Sequence, residues 1–458
     1  MRSVWAIALI SLRNAIRSRV VALLLTILVV GIIAIPLTVK SDGTLTGYVQ
    51  ILVRYTLGFS IGILMMATVW AGCAAVSLEI QLKQIHLLVT KPVSAMQLWL
   101  GKWLGLVILN SAALLVCAGT TYGLLRWNTR AQHLGAADQQ KLASEIMVAR
   151  VRLAPLPFAL EERVRARFAE LAAHGEVPTN MPVTAVLAAL QESAQMEAHT
   201  VAPRGNLTWR FVLPAALTHT AAFQLRYKLA SSFLAPLTMQ GRWIVGREQG
   251  GQPYESTQAH PSNGQHSLTI PGTALRGTGA LLVTYSNVNQ TPVTLIFGPE
   301  KALELLAPVG GWLPNFARAL LISACLLALI AALGVTAGSL FSMPVAAFVV
   351  FQALVLISTA GMIHSLAARE VNFTSLLPGH LTSAAWLDQT MVWFYRVLEI
   401  LVMPMRSADP MALVAAGEWV SWPMVAWAFL QQIVLASGVL LLLAVAALRR
   451  RELALPAD

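Results

Sequence analysis

The sequence predicts an α-helical membrane protein. It comprises about six transmembrane helices, an N-terminal interfacial helix, and an inserted α+β extracytoplasmic domain containing a small antiparallel β-sandwich. Three observations predict it. Of 458 residues, 57% are hydrophobic and only 12% are charged, against roughly 25% charged in an average soluble protein. Too little polar surface is left to cover a soluble fold of this size, and the mean hydropathy of +0.66 agrees. Most of the charge falls in one central block, residues 126–312, so the chain is part membrane and part soluble.

The spans follow from length. About 20 apolar residues match a hydrocarbon core of roughly 30 Å. Such runs occur at residues 20–39, 52–78, 98–125, 316–341, 344–366 and 424–448. The first is too long for a signal peptide and no small-residue cleavage site follows it, so it reads as an uncleaved anchor. Residues 384–405 are also apolar but carry Asp388, Arg396 and Glu399, each costly at the bilayer centre. Trp386, Trp393, Tyr395, Trp419 and Trp422 suit headgroup depth. This stretch reads as a helix at or dipping into the outer interface, with a seventh span as the alternative.

Orientation follows from lysine and arginine. The net charge is +11 and the isoelectric point is near 10.0, and many basic residues flank spans rather than forming a nucleic-acid surface. Arg2, Arg13, Arg17 and Arg19, then Lys83, Lys91 and Lys102, then Arg449, Arg450 and Arg451 all lie on one side if the spans alternate. That side is cytoplasmic. Residues 126–312 then lie outside, in the periplasm of a diderm bacterium, and both termini lie inside. The division is 1–18 interfacial helix, 19–125 spans one to three with a cytoplasmic loop at 79–98, 126–312 outer domain, 313–448 spans four to six, and 449–458 tail.

The first 18 residues repeat Trp5, Ala8, Leu9, Leu12 and Ile16 on one helical face, with Arg2, Ser11, Arg13, Asn14 and Arg17 elsewhere. Ile7 and Ile10 land on the polar side. The pattern predicts a basic amphipathic helix in the cytoplasmic interface, or a plain anchor flank.

The outer domain has two textures. Residues 126–204 read as helical: EERVRARFAELAAHGE places Val164, Phe168 and Leu171 on one face, with Gly175 and Pro178 as stops. Residues 205–300 read as strands, because TWRFVL, AFQLRYKL, GRWIV, HSLTIP and ALLVTYSN alternate between turn clusters such as HPSNGQ and IPGTALRGTG. That is enough chain for a small sandwich. Trp209, Tyr227, Trp243 and Tyr254 are its candidate ligand-facing aromatics, with core packing as the other reading. His133, His174, His199, His260 and His266 show no metal-ligand spacing. Cys73, Cys117 and Cys325 all sit in apolar stretches, which excludes a disulfide framework and reads as small packing residues.

There is no GxxxxGK[ST] loop, HExxH or GxSxG, so no nucleotide, zinc-protease or hydrolase signature. Gly101-Lys102 is followed by Trp103 at the mouth of a span and does not make a phosphate loop. The spans hold almost no acid or base of the kind that ion-coupled transporters keep at midplane. Glu79 and Arg54 lie near span ends and read as snorkelling. The energy for any movement is therefore expected from another polypeptide.

With these parts in order, the chain resembles the permease subunits of ABC-2 type transporters. LRNAIRSR precedes the first span, SLEIQLKQIHLLVTKPVSAMQLWLGKW follows the second, GSLFSMPVAAF joins the fourth and fifth, and RRREL follows the last. The resemblance covers both membrane halves; the large insertion at 126–312 departs from many members, which have a short loop there. It implies an ATP-binding cassette ATPase docked on the cytoplasmic side through Glu79, Gln81, Lys83, Gln84, His86 and Lys91. It also implies a second permease copy or a homologous permease, and ATP held only by the partner. The chain itself carries no cofactor, is not an enzyme and binds no nucleic acid in this reading. The alternatives are a membrane-anchored binding or sensor protein, a mechanotransmission subunit without transport, and a membrane enzyme on lipid or glycan. The last lacks convergent polar residues at one depth.

Overall fold

A computed structural model describes residues 2–38, 51–82, 93–131, 147–175, 183–214, 222–231, 238–250, 252–261, 264–298, 303–359 and 409–450, with a few single positions between them. The chain divides into two compact units, residues 1–147 with 311–458, and residues 148–310.

The first unit is helical. Helix α1 spans Arg2–Arg17, α2 Arg19–Thr38, α3 Leu57–Gln81 (entered through a π-helical turn, Ile51–Thr56) and α4 Ala95–Ala131. Among the described residues five helices are long and apolar enough to cross a membrane: Arg19–Thr38, Ile51–Gln81, Ala95–Trp127, Trp312–Leu340 and Trp422–Arg449. The span expected at 344–366 falls on a helix, Met343–Ser358, of 16 residues. It is short of the roughly 20 needed, and residues past 359 lie outside the described ones. So does nearly all of the interfacial segment expected at 384–405.

The central pair of this unit is α3 against Trp312–Leu340, labelled α7 below. Small residues make the approach close: a Cβ on Gly72 would stand 3.0 Å from the Gly334 Cα. Without a hydrophobic drive between helices in lipid, such close packing is what holds them.

The face of α1 differs from the expectation. Ile7, Ala8, Ser11 and Ala15 are buried, whereas Trp5, Leu9, Ile10 and Ile16 are exposed. The partner sets the face. Gly101 and Gly105 of α4 open a groove for α1, and a Cβ on Gly105 would stand 2.5 Å from the Ala8 carbonyl oxygen. Of the apolar stripe read from the sequence, Trp5, Leu9 and Ile16 face outward, as suits lipid, while Ala8 is buried.

The second unit is a two-sheet β-structure with helices. Its strands are β1 Val148–Leu153, β2 Thr200–Val201, β3 Asn206–Phe211, β4 Ala222–Ser231, β5 Thr238–Gln249, β6 Tyr254–Pro261, β7 Gly264–Pro271, β8 Thr278–Asn287, β9 Leu295–Phe297 and β10 Leu303–Gly311. Helices α5 (Leu160–Ala173) and α6 (Val183–Glu197) lie between β1 and β2. One sheet runs β1-β10-β4-β9-β2 with β7 also on β4; the other runs β3-β8-β5-β6. Phe223, Leu225 and Tyr227 of the first sheet share one core with Trp209, Trp243 and Tyr285 of the second. Alternation buries every second residue of β4 and β8. The region 126–204, read as helical throughout, thus contains β1 and β2, and β10 extends the sheet past residue 300. These strands pair with chain remote in sequence, so their partners were not visible in a local window.

Candidate functional site

The loop expected to dock an ATPase is framed by its two ends. Lys83, Gln84, His86 and Lys91 lie outside the described residues; Glu79 and Gln81 are in the last turn of α3. On the far side, Ser94 and Gln97 form a reciprocal cap at the start of α4. The Gln97 N–H donates to Ser94 Oγ at 3.2 Å and the Ser94 N–H donates to Gln97 Oε1 at 3.1 Å. Ser94, the last residue of the KPVS motif, is thus the cap of a helix start.

Behind the loop, α3 and α4 are locked together. Lys102 Nζ lies 2.6 Å from Glu79 Oε1 and also donates to the Ala75 carbonyl at 2.5 Å. The lysine side chain is 3% exposed and the glutamate 16%. Glu79 does not snorkel; it turns into the helix packing, because Lys102 waits there. One layer deeper, the Thr68 hydroxyl donates to Asn110 Oδ1 at 2.9 Å. Asn110 is eight residues beyond Lys102 and so shares its face of α4. Asn110 Nδ2 and Glu79 Oε2 are buried and make no hydrogen bond among the described residues. A cavity of ≈390 Å³ lies against the ion pair, rimmed by Ser11, Asn14, Arg17 and Ser18 from the α1–α2 corner.

Two further polar anchors brace the helices. The Trp99 indole donates to Thr336 Oγ1 at 3.1 Å, and that hydroxyl donates to the Leu440 carbonyl at 3.2 Å. At the start of α7, Arg318 donates to the Val420 carbonyl at 2.7 Å and stacks 4.0 Å from the Trp419 ring. Asn315 holds the same segment by accepting from the Val420 N–H at 2.7 Å. Sequence reading missed Lys102, Asn110 and Arg318. Their signal was a polar residue inside an apolar run; only the fold supplies the partner.

In the second unit, Trp209, Tyr227 and Trp243 are buried in the sandwich core and do not present faces to a ligand. Tyr254 is partly buried against the same core. Their large apolar area fills the gap between sheets, with Tyr227 and Trp243 centroids 4.6 Å apart. Burial pushes the Tyr227 hydroxyl up to about 12. His260 and His266, unconnected in the sequence reading, stack at 4.4 Å beside Tyr227. Burial lowers both imidazoles from their ordinary value, and for His260 the neighbouring His266 adds to the effect. Among the described residues no three His, Cys, Asp or Glu side chains cluster as a metal site. Cys73, Cys117 and Cys325 are free thiols.

No family model matches the chain, and no curated protein and no solved structure shows significant similarity to it.

Proposed function

We propose that the chain is the membrane-spanning permease subunit of an ABC-2 type transporter, driven by a separate cytoplasmic ATP-binding cassette ATPase. The reading takes six spans in a bacterial inner membrane, both termini cytoplasmic, residues 126–312 outside, and a second permease copy or homologue completing the translocation path. The α3–α4 hairpin is the observation that supports it. Both arms are long, the loop between them is short and carries Lys83, Gln84, His86 and Lys91, and the two ends of that loop are fixed by the Ser94–Gln97 cap and the Glu79–Lys102 pair. A push on residues 83–92 would move two stiff arms rather than bend one. Helix α1, seated on Gly101 and Gly105, adds a brace at the same end.

The test is coupling. Lys83→Glu with Gln84→Glu reverses the loop's charge and leaves every buried contact above in place. ATPase activity of the assembled complex is expected to lose its dependence on the permease, with membrane insertion unchanged. Unaltered coupling would remove the docking role. A reporter fused after Asn206 is expected outside the cytoplasm.

A further inference from the structure

We infer that the cavity at the α1–α2 corner holds the headgroup of an anionic phospholipid, with its phosphodiester on Arg17 and its acyl chains leaving along α3. The inference rests on the helices lying in a membrane and not on the transporter reading. At ≈390 Å³ the space falls in the range of small-molecule sites, about 300–1,000 Å³.

The rim is cationic and offers no free acid. Arg17 stands on it, with Arg13 and Arg19 within four residues along the chain. None of the three has a carboxylate within 4 Å among the described residues. Residues 2–38 contain no Asp or Glu. The one acid of the lining, Glu79, is already engaged: Oε1 holds Lys102 at 2.6 Å, and Oε2 is buried with essentially no accessible surface. The ammonium of a zwitterionic head would therefore meet guanidinium groups and no carboxylate, whereas a phosphodiester meets a charge-assisted donor. That favours a head whose net charge is negative. Asn14 and Ser18 add neutral hydrogen-bonding groups for the hydroxyls of a polyol head.

The apolar side of the cavity points to a lipid as the source of the anion. Trp70, Leu78, Leu82 and Leu106 line it. Leu78 is 39% exposed and Leu82 64%, so this lining continues out to the surface of the helices. Acyl chains gain from such a path, and free phosphate does not. The depth agrees. The exposed stripe of α1, Trp5, Leu9, Ile10 and Ile16, belongs at the boundary of headgroups and acyl chains, and the cavity lies between that helix and the ends of α3 and α4.

The experiment is native mass spectrometry of the full chain released from nanodiscs containing equal parts of phosphatidylglycerol, phosphatidylethanolamine and phosphatidylcholine. Retained phosphatidylglycerol is expected to exceed either zwitterionic lipid by about fivefold, the worth of one charge at a membrane surface. Arg17→Gln, at an exposed rim position, is expected to erase that excess. Arg2→Gln removes the same charge about 22 Å away along α1 and is expected to keep it, which separates a site from a general attraction of the helix for anions. Ala74→Leu narrows the cavity from its α3 side without touching a charge and is expected to lose the bound lipid. Excess inorganic phosphate is expected to leave it in place. Equal retention of the three lipids, Arg17→Gln and Arg2→Gln behaving alike, Ala74→Leu retaining lipid like the parent, or phosphate displacing the lipid would each overturn the proposal.

Discussion

Lys102 and Glu79 form an ion pair across α3 and α4 at 2.6 Å, almost wholly inside the helix packing. Desolvating two charges costs several kcal/mol each, which the pair offsets only while both partners are present. Lys102→Leu alone is therefore expected to cost about 3–5 kcal/mol by stranding Glu79. The double variant Lys102→Leu with Glu79→Leu should recover most of that loss. Thermal unfolding in detergent of the parent, Lys102→Leu, Glu79→Leu and the double variant checks this; a double variant as unstable as the sum of the singles would refute the coupling.

The same pair shows what was legible beforehand. Apolar runs of the right length announced the helices, and alternation announced β4, β5 and β8, because both patterns are local. The partner of Glu79 was not local. From the sequence it was a charge at a span end, free to reach water, and only the approach of α4 gave it Lys102. The buried face of α1 was missed for the same reason: Ile7 packs because Gly101 and Gly105 leave room for it. The aromatics Trp209, Tyr227 and Trp243 look alike on paper whether they line a core or a ligand groove; the second sheet decides.

Gly72 and Gly334 let α3 and α7 touch backbone to backbone. Gly334→Leu is expected to cost about 1–3 kcal/mol or more, as overpacking does, seen as a lower unfolding temperature and a lower yield. Gly62→Leu is the control, since nothing among the described residues lies within 4 Å of its added Cβ, and it should behave like the parent. Equal behaviour of the two variants would contradict the close crossing.

The Tyr285 hydroxyl is buried in the sandwich without a hydrogen-bond partner among the described residues, and burial raises its ionisation above the usual tyrosine range. Removing an unsatisfied group relieves its desolvation. Tyr285→Phe should leave the stability of the second unit unchanged or raise it by up to about 1 kcal/mol. A loss of that size in chemical denaturation would mean the hydroxyl has a partner in solution.

His199, His260 and His266 are each held towards the neutral form by burial. The unfolded chain then binds more protons than the folded one below the ordinary value of 6.5. Their contribution is fully present above that pH and is lost as pH falls through it. Unfolding of the second unit followed between pH 8 and 5 (roughly the range over which histidine charge changes) should show stability falling on the acid side. His260→Gln with His266→Gln should flatten that slope, and an unchanged slope would exclude the pair.

In the proposed function this chain is one part of an ATP-driven machine, joined to its motor through residues 83–92. Affinity purification of the intact chain from its native membranes, followed by identification of the bound proteins, tests it most directly. A stoichiometric ATP-binding cassette protein is expected, released when Lys83 and Gln84 are replaced by glutamate. A preparation that retains its lipid and its fold but carries no ATPase would contradict it.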